Sequence, residues 1–145
     1  MKAAVKYLPL LLLAIVFFAS CQTTKEALTE PQKDLNGTYK ILKITRNTVD
    51  ITQYVDSTGF RLTLASDNTY TLQSNNIPFI VNSNGTFSVD DPQYAYHLSF
   101  TPTDSTKTFV GSIGTPVSKG ERNLEVTFSP GCNANSYVYT FEKIQ

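Results

Sequence analysis

From Asn36 onward the chain is written in short runs of alternating apolar and polar residues, and that alternation limits what it can become. Phe60-Arg61-Leu62-Thr63-Leu64, Thr69-Tyr70-Thr71-Leu72-Gln73 and Thr86-Phe87-Ser88-Val89 each send one set of side chains to either face. Tyr94, Tyr96, Leu98 and Phe100 share a predicted inner face, with Ala95, His97 and Ser99 opposite. The run 38–45 opens the series. Runs 108–113, 124–128 (Leu124, Val126 and Phe128 inward) and 137–142 (Tyr137, Tyr139 and Phe141 inward) close it. A period of two means a strand with one face in a core and one in solvent.

Turn residues separate the runs. Asn84-Gly85 between apolar stretches predicts a tight type I′ hairpin, because both central residues of that turn need positive φ. Ser57-Thr58-Gly59, Asp67-Asn68, Asp90-Asp91-Pro92, Asp104-Ser105 and Lys119-Gly120 mark further corners. The stretch 50–55 is the best candidate for a short helical turn. The expectation is an all-β domain over residues 35–145: an antiparallel up-and-down barrel of about eight strands, with a β-sandwich as the alternative. Closing the sheet removes the unpaired edges through which strands aggregate.

Ahead of this domain stands a segment of different character. Lys2 and Lys6 precede the run Leu8 to Phe18, which is apolar but for Pro9 and is followed by Ala19, Ser20 and Cys21. The run falls well short of the ~20 apolar residues that cross a bilayer as a helix. Charge, a short apolar core and small residues are the order of an export signal, which is removed and does not belong to the fold. Phe18-Ala19-Ser20-Cys21 resembles the lipobox of bacterial lipoproteins, departing from it only in Phe18, where Leu is usual. The resemblance implies that the Cys21 thiol carries diacylglycerol and that residues 1–20 are cut away. It also implies acylation of the new N-terminus, which holds the protein to a membrane of the cell envelope. Gln22 is not the Asp that resembles an inner-membrane retention signal in some bacteria, so the outer membrane of a Gram-negative cell is expected. The alternative is an ordinary secretory signal cut near Ala19, with Cys21 left free or in a disulfide.

Residues 21–34 are polar, contain Pro31 and lack an apolar period, so a flexible tether is expected, with a helical turn at 25–29 as the alternative. Lys2 and Lys6 leave with the signal, so ten basic residues face twelve acidic ones in the mature chain. With no Lys/Arg cluster there is no electrostatic footprint for nucleic acid. Once Cys21 is alkylated, Cys132 has no partner in the chain, which excludes a disulfide framework.

Leu35-Asn36-Gly37-Thr38-Tyr39 resembles the Gly-x-Trp motif of the first lipocalin strand, with Tyr39 in place of Trp; the chain has no Trp. With the lipobox, the tether and the last strand, the chain is similar to small lipocalin-like lipoproteins of Gram-negative bacteria, many of them domains of unknown function. The resemblance implies the barrel and its anchorage more than any activity.

Few residues offer chemistry. His97 is the single histidine, and a general base needs a converging nucleophile and an orienting carboxylate; a solvent-facing, hydrogen-bonded strand histidine is expected. Asp90-Asp91-Pro92 lacks the spacing of a calcium loop and reads as a turn. One histidine and one free thiol make no zinc set, so neither metal nor cofactor is expected. Cys132, in the loop 130–135, has no visible cation to lower its pKa and is expected to be small and at least half-buried. Tyr39, Tyr70, Tyr94, Tyr96, Tyr137 and Tyr139 are candidate linings of a pocket for a small apolar ligand, since a tyrosine pairs an apolar body with a hydroxyl. A barrel of eight strands either fills itself or holds one small molecule. Asp56-Ser57-Thr58 and Asp104-Ser105-Thr106 resemble the acceptor triplet of periplasmic O-glycosylation, marking Ser57 and Ser105 as candidate sites. The functional expectation is a non-enzymatic, lipid-anchored binding module for a small apolar ligand or an envelope protein. The alternative is a solid barrel serving envelope structure or assembly.

Overall fold

The computed structural model describes residues 32–118, 120–132 and 134–144. Residues 31–145 form one compact unit. Among the described residues eleven strands run in chain order: β1 (Gly37–Arg46), β2 (Val49–Asp50), β3 (Arg61–Leu64), β4 (Thr69–Gln73), β5 (Gly85–Val89), β6 (His97–Pro102), β7 (Phe109–Gly114), β8 (Val117–Ser118), β9 (Glu121–Arg122), β10 (Leu124–Phe128) and β11 (Tyr137–Lys143). The sheet order β11-β10-β7-β6-β5-β4-β3-β1 closes through β11 against β1, giving an eight-stranded antiparallel barrel. Each barrel strand lies beside its neighbour in the chain, so the topology is up-and-down, as the alternation predicts. β2 folds back on the end of β1, and β8 and β9 form a separate small hairpin. Thr52–Tyr54 makes one 3-10 turn, inside the predicted helical stretch, and no α-helix occurs among the described residues.

The pleat sorts the side chains. Leu62 and Leu64 of β3, Leu98 and Phe100 of β6, Leu124, Val126 and Phe128 of β10, and Tyr139 and Phe141 of β11 are buried at alternate positions. β1 keeps this pattern only by changing phase. Tyr39 and Ile41 are buried, then Ile44, and the register against β11 shifts between Ile41 and Lys43. The extra residue is a β-bulge. It turns Leu42 out, 46% exposed, and returns Ile44 to the interior.

Asn84-Gly85 is not the predicted tight hairpin. Asn84 ends the long loop 74–84, and Gly85 is already in β5, paired with Tyr70 and with Pro102. Glycine is needed there for room: a Cβ on Gly85 would lie 2.1 Å from the Thr101 carbonyl oxygen.

Because strands alternate in direction, the connections divide between two ends. The loops 47–60, 74–84, 103–108 and 129–136 surround one end, called the mouth here. Residues 32–36 and the connections 65–68, 90–96 and 115–123 lie at the other, the base. Lys33 N–H donates to Pro92 C=O (2.9 Å), so the chain approaches the barrel from the base.

Candidate functional site

The barrel interior is occupied by the protein itself. The loop 74–84 dips in from the mouth and buries Ile77 and Val81. Between them Phe79 sets its ring 5.4 to 5.8 Å from those of Phe60, Phe100, Phe128, Tyr139 and Phe141, at interplanar angles of 75 to 88°. These are edge-to-face contacts, the arrangement favoured by ring quadrupoles. Pro78 carbonyl accepts a hydrogen bond from the Tyr139 hydroxyl. The one trace of this role in the sequence is Ile77, Phe79 and Val81 at every second position, in a stretch rich in turn residues.

The six candidate tyrosines do not converge. Tyr39 is buried near the base, donating from its hydroxyl to Leu35 C=O (2.7 Å). Tyr70 packs edge-on against Phe100 with its centroid 5.0 Å away, and its buried hydroxyl has no hydrogen-bond partner. Tyr137 and Tyr139 come together, with centroids 6.5 Å apart, and the Arg46 guanidinium lies 5.6 Å from the Tyr137 centroid. Tyr94 and Tyr96 are 49% and 67% exposed, outside the core that Leu98 and Phe100 enter. The reason is local. β6 begins only at His97, and residues 90–96 are held in a loop by carboxylates. Asp90 Oδ1 accepts from the N–H groups of Asp91, Tyr96 and His97, and Asp91 Oδ1 accepts from those of Gln93 and Tyr94. Phe109 also stands 37% exposed at the start of β7.

Burial pushes the Tyr39, Tyr70 and Tyr139 hydroxyls up to about 12, with smaller contributions from Asp34, Asp104 and Tyr137 respectively. The Asp90 carboxyl is held far below its ordinary range, chiefly by His97 N–H and then by the His97 ring. His97 Nδ1 lies 2.8 Å from Asp90 Oδ2 at an exposed site, the hydrogen-bonded surface histidine that was expected. No side chain among the described residues forms a hydrogen bond to the other ring nitrogen. Cys132 is exposed rather than semi-buried, in the connection between β10 and β11. Ser57 and Ser105 are half-buried in their turns; Asp56 is engaged by Thr58, and Asp104 by Ser83. Cys21 lies outside the described residues, as do the signal and most of the tether.

Clefts of about 370 Å³ open near both ends. At the mouth, Phe79, Ile80, Phe109, Val110, Phe128 and Pro130 line an apolar cleft. At the base, Leu35, Tyr39 and Leu124 border a cleft together with Lys33, Arg122 and Lys143. No helix among the described residues is long and apolar enough to cross a membrane, and no described His, Cys, Asp and Glu residues cluster as a metal site.

No curated protein and no solved structure matches the chain. A family model described as "Domain of unknown function (DUF5004)" matches residues 19–142. That match covers most of the sequence, begins two residues before Cys21 and ends within β11. The chain, a closed β-barrel packed around its own loop, therefore belongs to the DUF5004 family.

Proposed function

We propose that the protein is a lipid-anchored, non-enzymatic domain of the Gram-negative envelope, held in the outer membrane through Cys21, that binds its partners on its outer surface. The observation that carries this reading is Phe79. A ring set edge-on against five others takes up the space that a ligand would need at the barrel centre. The lipobox-like Phe18-Ala19-Ser20-Cys21 supports the anchor, and two or more acyl chains hold a protein stably where one does not. His97 is oriented by Asp90 but has no nucleophile hydrogen-bonded to it among the described residues, which supports a non-enzymatic role.

A small apolar ligand inside the barrel is a second reading, favoured by one observation: the Tyr70 hydroxyl is buried without a partner. Such a ligand would have to displace Phe79.

Two measurements test the proposal. Metabolic labelling with palmitate should mark the membrane fraction in the wild type and fail with Cys21→Ser; an unlabelled, soluble wild type refutes the anchor. A thermal-shift panel of haem and quinones should leave the melting temperature unchanged. A saturable rise with either, abolished by enlarging Phe79 to Trp, would transfer the argument to the interior ligand.

A further inference from the structure

The base cleft gathers positive charge that the described ion pairs leave unmatched. Asn123 is 95% buried, 5% of its surface remaining, and is the one buried polar residue among those described. It lines the cleft, its backbone N–H goes to Pro116 C=O (2.9 Å), and its side-chain amide makes no hydrogen bond among the described residues. The little surface that Asn123 keeps leaves its amide open to solvent, so it can accept from and donate to a polar group seated in the cleft it lines. Around it stand Lys33 from the segment crossing the base, Arg122 from β9 and Lys143 from β11, brought together by folding from distant positions in the chain. None of the three cations is engaged in the described ion pairs, which join Lys40 to Glu142, Lys43 to Asp50 and His97 to Asp90. A single carboxylate, Asp34, borders the same cleft, and its Oδ1 accepts from Asn36 N–H. The remaining lining includes the apolar faces of Leu35, Tyr39 and Leu124.

We propose that this cleft is a binding site for an amphiphile with an anionic phosphate or carboxylate head. The head would meet Arg122, Lys143, Lys33 and the Asn123 amide, and the apolar chain would lie against Leu35, Tyr39 and Leu124. Guanidinium presents a planar fork that matches phosphate and carboxylate oxygens, and the ammonium groups add charge without a fixed direction. A volume of about 370 Å³ falls in the range of small-molecule sites, ~300–1,000 Å³. Two sources share this chemistry: a phospholipid of the supporting membrane and a free fatty acid. The phospholipid source rests on the anchor at Cys21, because the chain approaches the barrel at this end; the site itself does not depend on the anchor.

The full-length protein, placed in phosphatidylcholine nanodiscs, tests the site by amide hydrogen exchange in residues 32–39 and 121–125. Phosphatidylglycerol in the discs, or laurate added to them, should slow exchange in both segments, and uncharged dodecanol should not. Protection by phosphatidylglycerol alone assigns the phospholipid; protection by laurate assigns the fatty acid. The Arg122→Gln/Lys143→Gln variant should weaken the effective ligand by about tenfold or more, while Lys107→Gln at the mouth leaves it unchanged. Both variants alter exposed side chains and should melt with the wild type. Protection by neither anion, equal protection by dodecanol, or undiminished protection in the double variant would overturn the proposal. Failure of the protein to float with the discs would refute the Cys21 anchor instead, and laurate added to the protein in solution would still decide the cleft.

Discussion

Replacing Phe79 with alanine empties the centre of the barrel. The ring meets five aromatic neighbours at 5.4 to 5.8 Å, and all five belong to strands or loop positions that cannot collapse inward without breaking the closed ladder. Truncating a core phenylalanine costs ~3–5 kcal/mol, the sum of lost transfer energy and the cavity left behind. Phe79 is only partly buried, so the lower end applies, about 3 kcal/mol. For a domain of this size that corresponds to a fall in melting temperature of roughly 12 °C, taking about 4 °C per kcal/mol. The change is a substantial share of the ~5–15 kcal/mol that holds a domain together, yet the variant should still fold. Urea titration of the detergent-solubilised protein should show a lower midpoint with an unchanged slope. The vacated space is lined by aromatic rings and should admit benzene, which would restore part of the lost stability. Tyr54→Ala, which removes a side chain 77% exposed, should cost under about 0.5 kcal/mol in the same assay. A loss below about 1 kcal/mol for Phe79→Ala, within the range of ordinary substitutions, would show that the ring does not fill the interior, and the surface-binding proposal would lose its support.

Three further outcomes follow from particular contacts. Gly85→Ala places a Cβ 2.1 Å from Thr101 C=O and must force β5 from β6, so a loss of about 3 kcal/mol or failure to fold is expected; Gly114→Ala, whose nearest neighbour is 3.8 Å away, should melt close to the wild type. Tyr39, Tyr70 and Tyr139 ionise at about 12 in the folded protein but at the ordinary value of 10.0 when unfolded, so the stability they preserve is intact below pH 10.0 and is lost as pH rises toward 12. Each should add a slope of about 1.4 kcal/mol per pH unit to the loss of stability in that window, and titration of all three near 10.0 by absorbance of the native protein would refute this. Asp90→Ala removes the acceptor shared by the N–H groups of Asp91, Tyr96 and His97 and should speed exchange of the latter two amides by about tenfold or more; unchanged exchange would show that the loop 90–96 is held by other means.

The closed meander was legible in the sequence, because period-two alternation and regularly placed turns leave few alternatives for a chain this short. β3, β4, β6, β10 and β11 fall where Phe60–Leu64, Thr69–Gln73, Leu98 and Phe100, Leu124–Phe128 and Tyr137–Glu142 predicted them. Register and phase are less local. The bulge at Leu42 that redirects β1 depends on how β11 meets it, and Tyr94 and Tyr96 keep the period of β6 while lying in a loop that Asp90 and Asp91 fold away from the core. What fills the barrel was barely legible, since the alternation of Ile77, Phe79 and Val81 sits among turn residues and the five partners of Phe79 come from four separate stretches of chain. The base cleft is the same kind of feature: Lys33, Arg122, Asn123 and Lys143 form no motif in the linear chain. By itself, the sequence determined the strands, the all-β architecture and the grounds for expecting export and lipid at Cys21, because each rests on neighbouring residues acting over a few positions. Only the tertiary structure decided that the interior is filled and that cations gather round a buried amide at the base, because those outcomes depend on which distant segments the closing of the sheet brings within reach.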